Sequence, residues 1–259
     1  MKLRMFQVDA FAERVFEGNP AAIVPLESWL GDSLLQAIAE ENNLAETAYI
    51  VPAGDAFELR WFAPIAEVDL CGHATLASAH VVFEHLGWEK DEVRFLTRSG
   101  PLTVARVAEG LRMDFPAAPP RPAAAPQALL EGLGAAPAEV LSAFDWVAVF
   151  ESEDEVRALV PDFARLRALD LRGVIATAPG RDADFVSRCF FPKLRVDEDP
   201  VTGSAHCEMA PYWSARLGRD VLRARQVSRR GGTLTCEVRA ERILISGRAV
   251  DFMTAEIEV

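Results

Sequence analysis

Residues 57–64 read FELRWFAP, and residues 185–192 read FVSRCFFP. When they are placed over each other at an offset of 128, the two stretches share a phenylalanine, an arginine, a second phenylalanine and a proline. Alternating side-chain character predicts a strand in each stretch. The likeness of two such distant segments indicates that the chain contains a duplicated unit.

The match extends beyond these strands. At the same offset Cys71 lies over Asp199, and a three-residue insertion then changes the offset to 131. At that new offset Leu86-Gly87 lies over Leu217-Gly218. Matches spread over about 50 residues, with only small insertions, are typical of duplication.

Each repeat predicts a strand, a loop, a helix ended by glycine, and two further strands. The first predicted helix, ATLASAHVVFEHL, is apolar on most faces and is therefore expected to be buried. This pattern predicts an α+β fold of two pseudo-symmetric halves, each a curled, mostly antiparallel sheet around a central helix. The predicted helices cover residues 32–41, 74–86, 153–169 and 204–217, and the later strands cover residues 92–97, 102–107, 221–228 and 233–238.

A proline-rich segment, PAAPPRPAAAP at residues 116–126, divides the chain. Proline lacks an amide donor and restricts φ, so the segment favours neither a helix nor an interior strand. It predicts a connector between residues 1–117 and 118–259, with the last strand able to return to the first half.

Composition limits the partners and the location. The 259 residues carry a formal net charge of −12, which argues against binding to nucleic acid. No stretch approaches the roughly 20 apolar residues of a membrane helix. Four cysteines without C-x-x-C spacing are too sparse for a disulfide scaffold. We therefore expect a cytoplasmic protein without nucleic-acid or membrane partners.

The loops before the two long helices are the first candidate site. They read DLCGH at residues 69–73 and DEDPVTGSAH at residues 197–206. A helix N-terminus presents free amide donors, and glycine allows a ligand to approach the backbone. Gly72, Gly203 and Ser204 therefore predict a carboxylate-binding cradle between the halves. The alternative is an ordinary capped helix, with Asp199 as the cap and Pro200 in the first turn.

Glu46 is the second candidate, because it precedes an apolar strand. Burial there would raise the pKa of its carboxyl group and suit it to acid or base catalysis. At the offset of 128 it lies over Val174, so only one half carries a carboxylate. The alternative is a surface or capping glutamate.

The remaining candidates are weaker. His73 is either a polar site residue or a histidine bonded to backbone. Cys71 is either a small buried side chain or a base whose pKa a helix N-terminus lowers. Asn19 lies in a predicted turn. His80 and His85 are five residues apart, which does not place them on one helix face, so we expect no metal site.

Four motifs together resemble the PhzF-like phenazine-biosynthesis family. They read GNPAA at residues 18–22, NLAETA at 43–48, LCGHATLA at 70–77 and DEDPVTGSAH at 197–206. The resemblance implies a fold similar to that of diaminopimelate epimerase. It also implies an isomerase that needs neither metal nor coenzyme, acts on a small carboxylate such as trans-2,3-dihydro-3-hydroxyanthranilate, and forms a homodimer.

The resemblance assigns roles to particular residues. Glu46 matches the catalytic acid and base, and His73 and Asp199 match its polar partners. The amides near Gly72, Gly203 and Ser204 match the carboxylate-binding loops, and Asn19 lies in a turn near the cleft. Two alternatives stay open: a racemase or epimerase that uses Cys71 and Asp199 as its bases, and a carboxylate-binding protein without catalysis.

Overall fold

The computed structural model describes all 259 residues and divides them into two compact units. Unit 1 contains Met1–Asp114 and Ser246–Val259, and unit 2 contains Phe115–Ile245. The first and last strands pair antiparallel, from Lys2 opposite Glu258 to Ala10 opposite Ala249. Unit 1 is therefore built from both ends of the chain.

Unit 1 is a curled sheet around one central helix. Its elements are β1 Lys2–Ala10, β2 Asn19–Pro25, α1 Asp32–Asn42, β3 Glu46–Ala53, β4 Ala56–Ala63, β5 Ala66–Val68, α2 Gly72–His85, β6 Glu92–Thr97, β7 Gly100–Val107, β8 Gly110–Pro116 and, at the end of the chain, β18 Ala249–Glu258. The strands pair in the order β18, β1, β2, β3, β4, β6, β7 and β8, and β5 also pairs with β4. Since α2 contacts both β18 and β7, the sheet curls around the helix.

The second unit has its own sheet and helices. Its elements are β9 Arg121–Pro122, α3 Gln127–Leu133, β10 Glu139–Ser142, β11 Trp146–Val149, α4 Glu153–Ala158, α5 Phe163–Arg167, β12 Val174–Pro179, β13 Phe185–Phe191, a 3₁₀ turn Pro192–Leu194, β14 Val196–Asp199, α6 Gly203–Leu217, β15 Val221–Gln226, β16 Gly232–Arg239 and β17 Arg242–Gly247. Strands β9 to β13 pair in chain order, followed by β15 and β16, and β14 pairs with β13. Helix α6 packs on β15 and β16.

The two units repeat one topology. In unit 1 the pairs β2–β3 and β4–β6 are parallel, and the other pairs are antiparallel. In unit 2 the corresponding pairs β11–β12 and β13–β15 are parallel, and the other pairs given above are antiparallel. Strands β1 to β7 therefore correspond in order and direction to β10 to β16. The predicted α+β fold and its internal repeat are confirmed.

The position of the insertion corrects the sequence alignment. Val68 in β5 pairs with Trp61 in β4, and Asp199 in β14 pairs with Cys189 in β13. Trp61 and Cys189 correspond at the offset of 128, so Val68 is the counterpart of Asp199. The extra residues therefore precede β14, where the chain forms the short 3₁₀ turn.

Cys71 consequently has a different counterpart from the one that the sequence predicted. Cys71 is the N-cap residue of α2, and Thr202 is the N-cap residue of α6. The side chain four residues later donates back to the N-cap carbonyl in each case, from Thr75 Oγ1 at 2.6 Å and from His206 Nδ1 at 2.8 Å. The predicted match of Cys71 with Asp199 is therefore wrong.

One predicted helix is divided. Residues 153–169 form two short helices, α4 and α5, instead of one. Leu159 already departs from helical geometry, with a ψ of 132°, and Pro161 lies two residues after it, directly behind Val160. Proline cannot supply an amide to a continuing helix and disfavours helical geometry in the residue before it.

Within the whole chain, no helix combines the length and the apolar character needed to cross a bilayer.

Candidate active site

Three elements of unit 1 begin close together. Asn19 is the first residue of β2, Glu46 is the first residue of β3, and Gly72 is the first residue of α2. Strands β2 and β3 are parallel, with Ala21 opposite Glu46, so their first residues lie at the same edge of the sheet. Helix α2 packs on both strands. Its N-terminal turn brings the side chain of His73 to this edge.

His73 is the centre of a buried polar cluster. Its Nε2 lies 3.0 Å from Glu46 Oε2, and its Nδ1 lies 3.2 Å from Asn19 Nδ2 and 3.5 Å from Cys71 Sγ. The side chains of His73 and Glu46 are only 8% and 19% exposed. Four of the predicted site residues thus form one contiguous cluster, with Gly72 beside it.

The charges of Glu46 and His73 support each other. Burial opposes ionisation of Glu46, but the charge and hydrogen bond of His73, together with the Cys71 hydrogen bond, lower the pKa of the carboxyl group overall. Burial also opposes the charge on His73, but Cys71 and Glu46 raise its pKa well above the ordinary value. The expected raised pKa of Glu46 is wrong, because His73 is a sufficiently close counter-ion. Each group of the pair thus favours the charged form of the other.

Cys71 remains a thiol. Burial and the neighbouring negative charge of Glu46 raise the pKa of Cys71 to about 11. The expected lowering of the Cys71 pKa by the helix N-terminus is wrong. Burial and the Glu46 charge have the larger effect, because a thiolate here would be desolvated beside a carboxylate. Cys71 therefore offers a neutral hydrogen-bonding group to the cluster and is poorly suited to remove a proton at neutral pH.

Gly18 determines where Asn19 lies. Its φ is +67°, and a Cβ atom at this position would lie 2.1 Å from the backbone oxygen of Ala10. Only glycine combines this left-handed conformation with such close backbone contact. The turn before β2 therefore requires glycine, and it places the fully buried Asn19 amide beside His73.

The loop before α6 is organised differently. The Thr202 hydroxyl donates to Asp199 Oδ2. The side chain of Gln226 forms hydrogen bonds with the backbone of both residues. Gln226 Nε2 donates to the carbonyl of Asp199 at 2.6 Å, and its Oε1 accepts from the amide of Thr202 at 2.9 Å. Asp199 does not cap α6, because the helix begins at Gly203. The alternative in which Asp199 caps this helix is wrong.

Ser204 lies beside a buried charged cluster. Arg172 donates to Ser204 Oγ at 3.0 Å and to both oxygens of Asp145 at 3.0 and 2.5 Å. Glu208 accepts from the amide of Asp145 at 3.2 Å. Burial and the charge of Asp145 raise the pKa of Glu208 well above its ordinary value, so Glu208 is protonated at neutral pH. Asp145 and Glu208 are completely buried.

The repeat therefore has different chemistry in its two copies. At the offset of 131, Ser204 is the counterpart of His73, and Gly203 is the counterpart of Gly72. Unit 1 has a glutamate bonded to His73 at this place, whereas unit 2 has an arginine bonded to Ser204. The prediction that both loops serve one ligand stays a prediction.

Sequence analysis missed four residues of the second loop and its surroundings. They come from separate elements, and their sequence spacing has no motif: Asp145, Arg172, Glu208 and Gln226. Glu208 carried the one usable signal, because a carboxylate inside the apolar run HCEMA is rarely buried without a partner.

Two groups of side chains in unit 1 offer donors for a metal ion. Glu46, Cys71 and His73 present one oxygen, one sulfur and one nitrogen within 4.8 Å of one another, and His80, His85 and Asp251 form the second group. Zinc accepts all three donor types. In the first group His73 Nε2 pairs with Glu46 Oε2, and His73 Nδ1 contacts Cys71 Sγ.

Comparison with known proteins extends over the whole chain. The PhzC-PhzF family, described as phenazine biosynthesis-like protein, matches residues 8–255. An uncharacterized isomerase of Pseudomonas aeruginosa is 54% identical over 259 residues, covering 100% of both chains. A crystal structure of a PhzF-family phenazine biosynthesis protein from Enterococcus faecalis has a TM-score of 0.98 at 47% identity and covers 100% of both chains.

A more distant structure shows the wider fold. A hydroxyproline epimerase from Agrobacterium vitis has a TM-score of 0.63 at 11% identity, covering 99% of this chain and 92% of that one. At such low identity the likeness concerns the fold alone. The close matches also identify the family, because their sequences are similar over the entire length of the chain. The chain therefore belongs to the PhzC-PhzF family of phenazine biosynthesis-like proteins.

Proposed function

We propose that the protein is an isomerase that moves a proton between carbon atoms of a small carboxylate substrate, with Glu46 as general acid and base. The observation that carries the proposal is the buried contact of 3.0 Å between Glu46 and His73. It keeps Glu46 ionised at neutral pH and therefore able to accept a proton. The relative from Pseudomonas aeruginosa is itself called an uncharacterized isomerase.

In the proposed reaction, the Glu46 carboxylate removes a proton from a carbon that the substrate carboxyl group or its double bonds have made acidic. The protonated Glu46 then returns the proton to another carbon. His73 keeps the carboxylate oriented, and Asn19 and Cys71 hold the imidazole through Nδ1. The Asn19 amide suits both states of the ring, because it can present its nitrogen to a bare Nδ1 or its oxygen to a protonated one.

The substrate carboxylate is proposed to bind the first amides of α2. The N-cap residues Cys71 and Thr202 form no side-chain capping hydrogen bond. The amides of Gly72 and His73 lie in the first turn of α2, where the partial charge of a helix N-terminus favours an anion. A substrate of the trans-2,3-dihydro-3-hydroxyanthranilate type, Asp199 as a further polar partner, independence of metal and coenzyme, and a homodimer form part of the same proposal.

The racemase alternative has less support. The pKa of Cys71 is raised to about 11, which leaves little thiolate at neutral pH. Its counterpart in the other repeat is Thr202 rather than an acidic residue. The chain therefore lacks two matched bases at corresponding positions of the repeats.

Deuterium exchange tests the proposal. Purified protein is incubated in deuterated buffer with a panel of small unsaturated and amino carboxylates, and C–H exchange is followed by NMR. Glu46→Gln removes the base but keeps the shape, and Glu40→Gln, on the exposed side of α1, is the matched control. We expect Glu46→Gln to slow exchange by at least about 100-fold and the control to match the wild type.

The other results are equally clear. Full exchange by Glu46→Gln would refute the role of Glu46. Loss of exchange in Cys71→Ala with only weak loss in Glu46→Gln would establish the racemase alternative. A carboxylate that binds and exchanges no C–H proton would point to a binding protein.

A further inference from the structure

A second polar cluster lies farther along the central helix of unit 1. His80 and His85 belong to α2, and Asp251 belongs to the last strand, β18. His80 Nε2 lies 3.2 Å from Asp251 Oδ1, and His85 Nε2 lies 3.0 Å from both oxygens of the same carboxylate. At 1.5 Å per residue, His80 and His85 lie roughly 10 and 18 Å along the helix from His73.

The five-residue spacing of His80 and His85 argues against one ligand shared along a single helix face. Strand β18 changes this, because its Asp251 lies near both rings. A single carboxylate on β18 reaches both rings, whose centres are 6.2 Å apart and whose planes are inclined at 74°. The ring of His85 also stacks on Phe6, with centres 4.6 Å apart, which holds its direction. A β-bulge beside Asp251 interrupts the register of β1 with β18, and bulges commonly redirect side chains. Contacts from three elements thus orient the cluster.

We propose that His80, His85 and Asp251 form a binding site for a divalent transition-metal ion of the zinc type. Two imidazole nitrogens and one carboxylate oxygen are a donor set that suits Zn²⁺, and Ni²⁺ and Cu²⁺ also accept it. Around a tetrahedral ion with bonds of about 2.0–2.1 Å, neighbouring ligand atoms lie about 3.3 Å apart. The nitrogen–oxygen distances of 3.2 and 3.0 Å require little change on binding.

Charge and access favour the same ligand. The Asp251 carboxylate lies close to both rings and would supply negative charge beside a divalent ion, and Glu84 directly precedes His85 on the same helix. Glu84 itself pairs with Arg106 at 3.4 Å. The side chains of His85 and Asp251 are 25% and 42% exposed, so an ion can enter from solvent and keep a water molecule as a fourth ligand.

The site would join distant parts of the chain. Asp251 is 166 residues from His85 along the sequence. An ion held by both residues would fasten the C-terminal strand to the helix around which unit 1 is built. These three donors come together only in the folded state, so an ion that binds them would stabilise unit 1 against unfolding.

Zinc binding by the complete protein tests the proposal. All proteins carry Cys71→Ser, which removes the sulfur donor of the other metal-competent cluster. Zn²⁺ uptake is measured by equilibrium dialysis, and the absorption spectrum of added Co²⁺ reports its ligands. We expect one Zn²⁺ per chain, a Co²⁺ spectrum without sulfur charge-transfer bands, and a higher melting temperature with Zn²⁺.

Two ligand variants and one control variant test the assignment. Asp251→Asn and His85→Gln are expected to weaken Zn²⁺ binding by at least about tenfold and to abolish the rise in melting temperature. Asp55→Asn removes an exposed carboxylate elsewhere in the unit and should bind as its parent does. Circular dichroism establishes that each variant is folded. Absence of stoichiometric uptake by the parent, or uptake that persists in both ligand variants, would overturn the proposal and leave the cluster as a hydrogen-bonded trio.

Discussion

Replacement of Gly18 by alanine would disturb both the stability of unit 1 and the position of Asn19. The new Cβ would lie 2.1 Å from the Ala10 oxygen, whereas ordinary contact begins at 3.4 Å. The positive φ costs about 1–2 kcal/mol for a residue with a side chain, and relieving the overlap costs about another 1–3 kcal/mol. We therefore expect Gly18→Ala to lower the free energy of unfolding by about 2–5 kcal/mol.

Gly54→Ala is the matched control. Gly54 has a φ of +65°, and a Cβ atom there would meet nothing within 4 Å. It should therefore cost only the conformational term of about 1–2 kcal/mol. Urea unfolding, followed by circular dichroism, measures the loss of stability in each variant. Equal losses in the two variants would show that the contact with Ala10 is relieved without cost and would refute the argument.

The same variant has an expected effect on activity. The Asn19–His73 distance is 3.2 Å, so a shift of only a few tenths of an ångström breaks this hydrogen bond. Misplacement of a catalytic group by about 1 Å can reduce a rate by about 100-fold. Gly18→Ala should slow deuterium exchange while the protein is still folded, whereas Gly54→Ala should exchange at the wild-type rate.

Three further predictions concern charge and metal. The lowered pKa of Glu46 contributes stability above its ordinary value of 4.5, and this contribution is lost as the pH falls through the lower folded-state pKa. The raised pKa of His73 contributes its full stability below pH 6.5, and this contribution is lost as the pH rises through the higher folded-state pKa. The difference in unfolding free energy between wild type and His73→Gln should therefore be largest between about pH 4.5 and 6.5. Urea titrations from pH 3 to 9 measure this difference, and a difference that does not change with pH would contradict the argument. Arg172→Met should cost about 3–5 kcal/mol in urea unfolding, because Asp145 would remain buried without its partner, and a loss below 1 kcal/mol would contradict that account. Treatment of the Asp251→Asn variant with EDTA should leave its exchange rate unchanged, whereas a loss that Zn²⁺ restores in this variant would make the Glu46 cluster a metal site.

The duplicated segment made the fold predictable, because matched residues form the same contacts in both repeats. Arg60 forms two hydrogen bonds with Glu67, at 2.7 and 2.8 Å, and Arg188 forms two with Glu198, at 2.7 and 2.9 Å. Such pairs hold two adjacent strands together in each repeat. Arg60 and Arg188 are identical in the two repeats and have the same structural role, and the comparison of the repeats recognises positions of this kind.

The chemistry of the site was harder to predict than its location. Four of the candidate residues, Glu46, His73, Cys71 and Asn19, lie together in unit 1, but the expected direction of the Glu46 pKa shift was wrong. It depends on a contact of 3.0 Å between residues 27 positions apart, which burial alone cannot reveal. The Arg172 cluster was missed for a similar reason, because its members come from different elements.

The pairing of the first strand with the last has a consequence for synthesis on the ribosome. Unit 2 is one continuous segment, Phe115–Ile245, so all of its strands have been translated before the segment that completes unit 1. Strand β1 has no β18 partner until unit 2 and the segment after it have been translated. The unit that carries Glu46 and His73 is begun before unit 2 and completed after it, and until then the β1 edge that pairs with β18 is an unpaired strand edge of the kind that promotes aggregation.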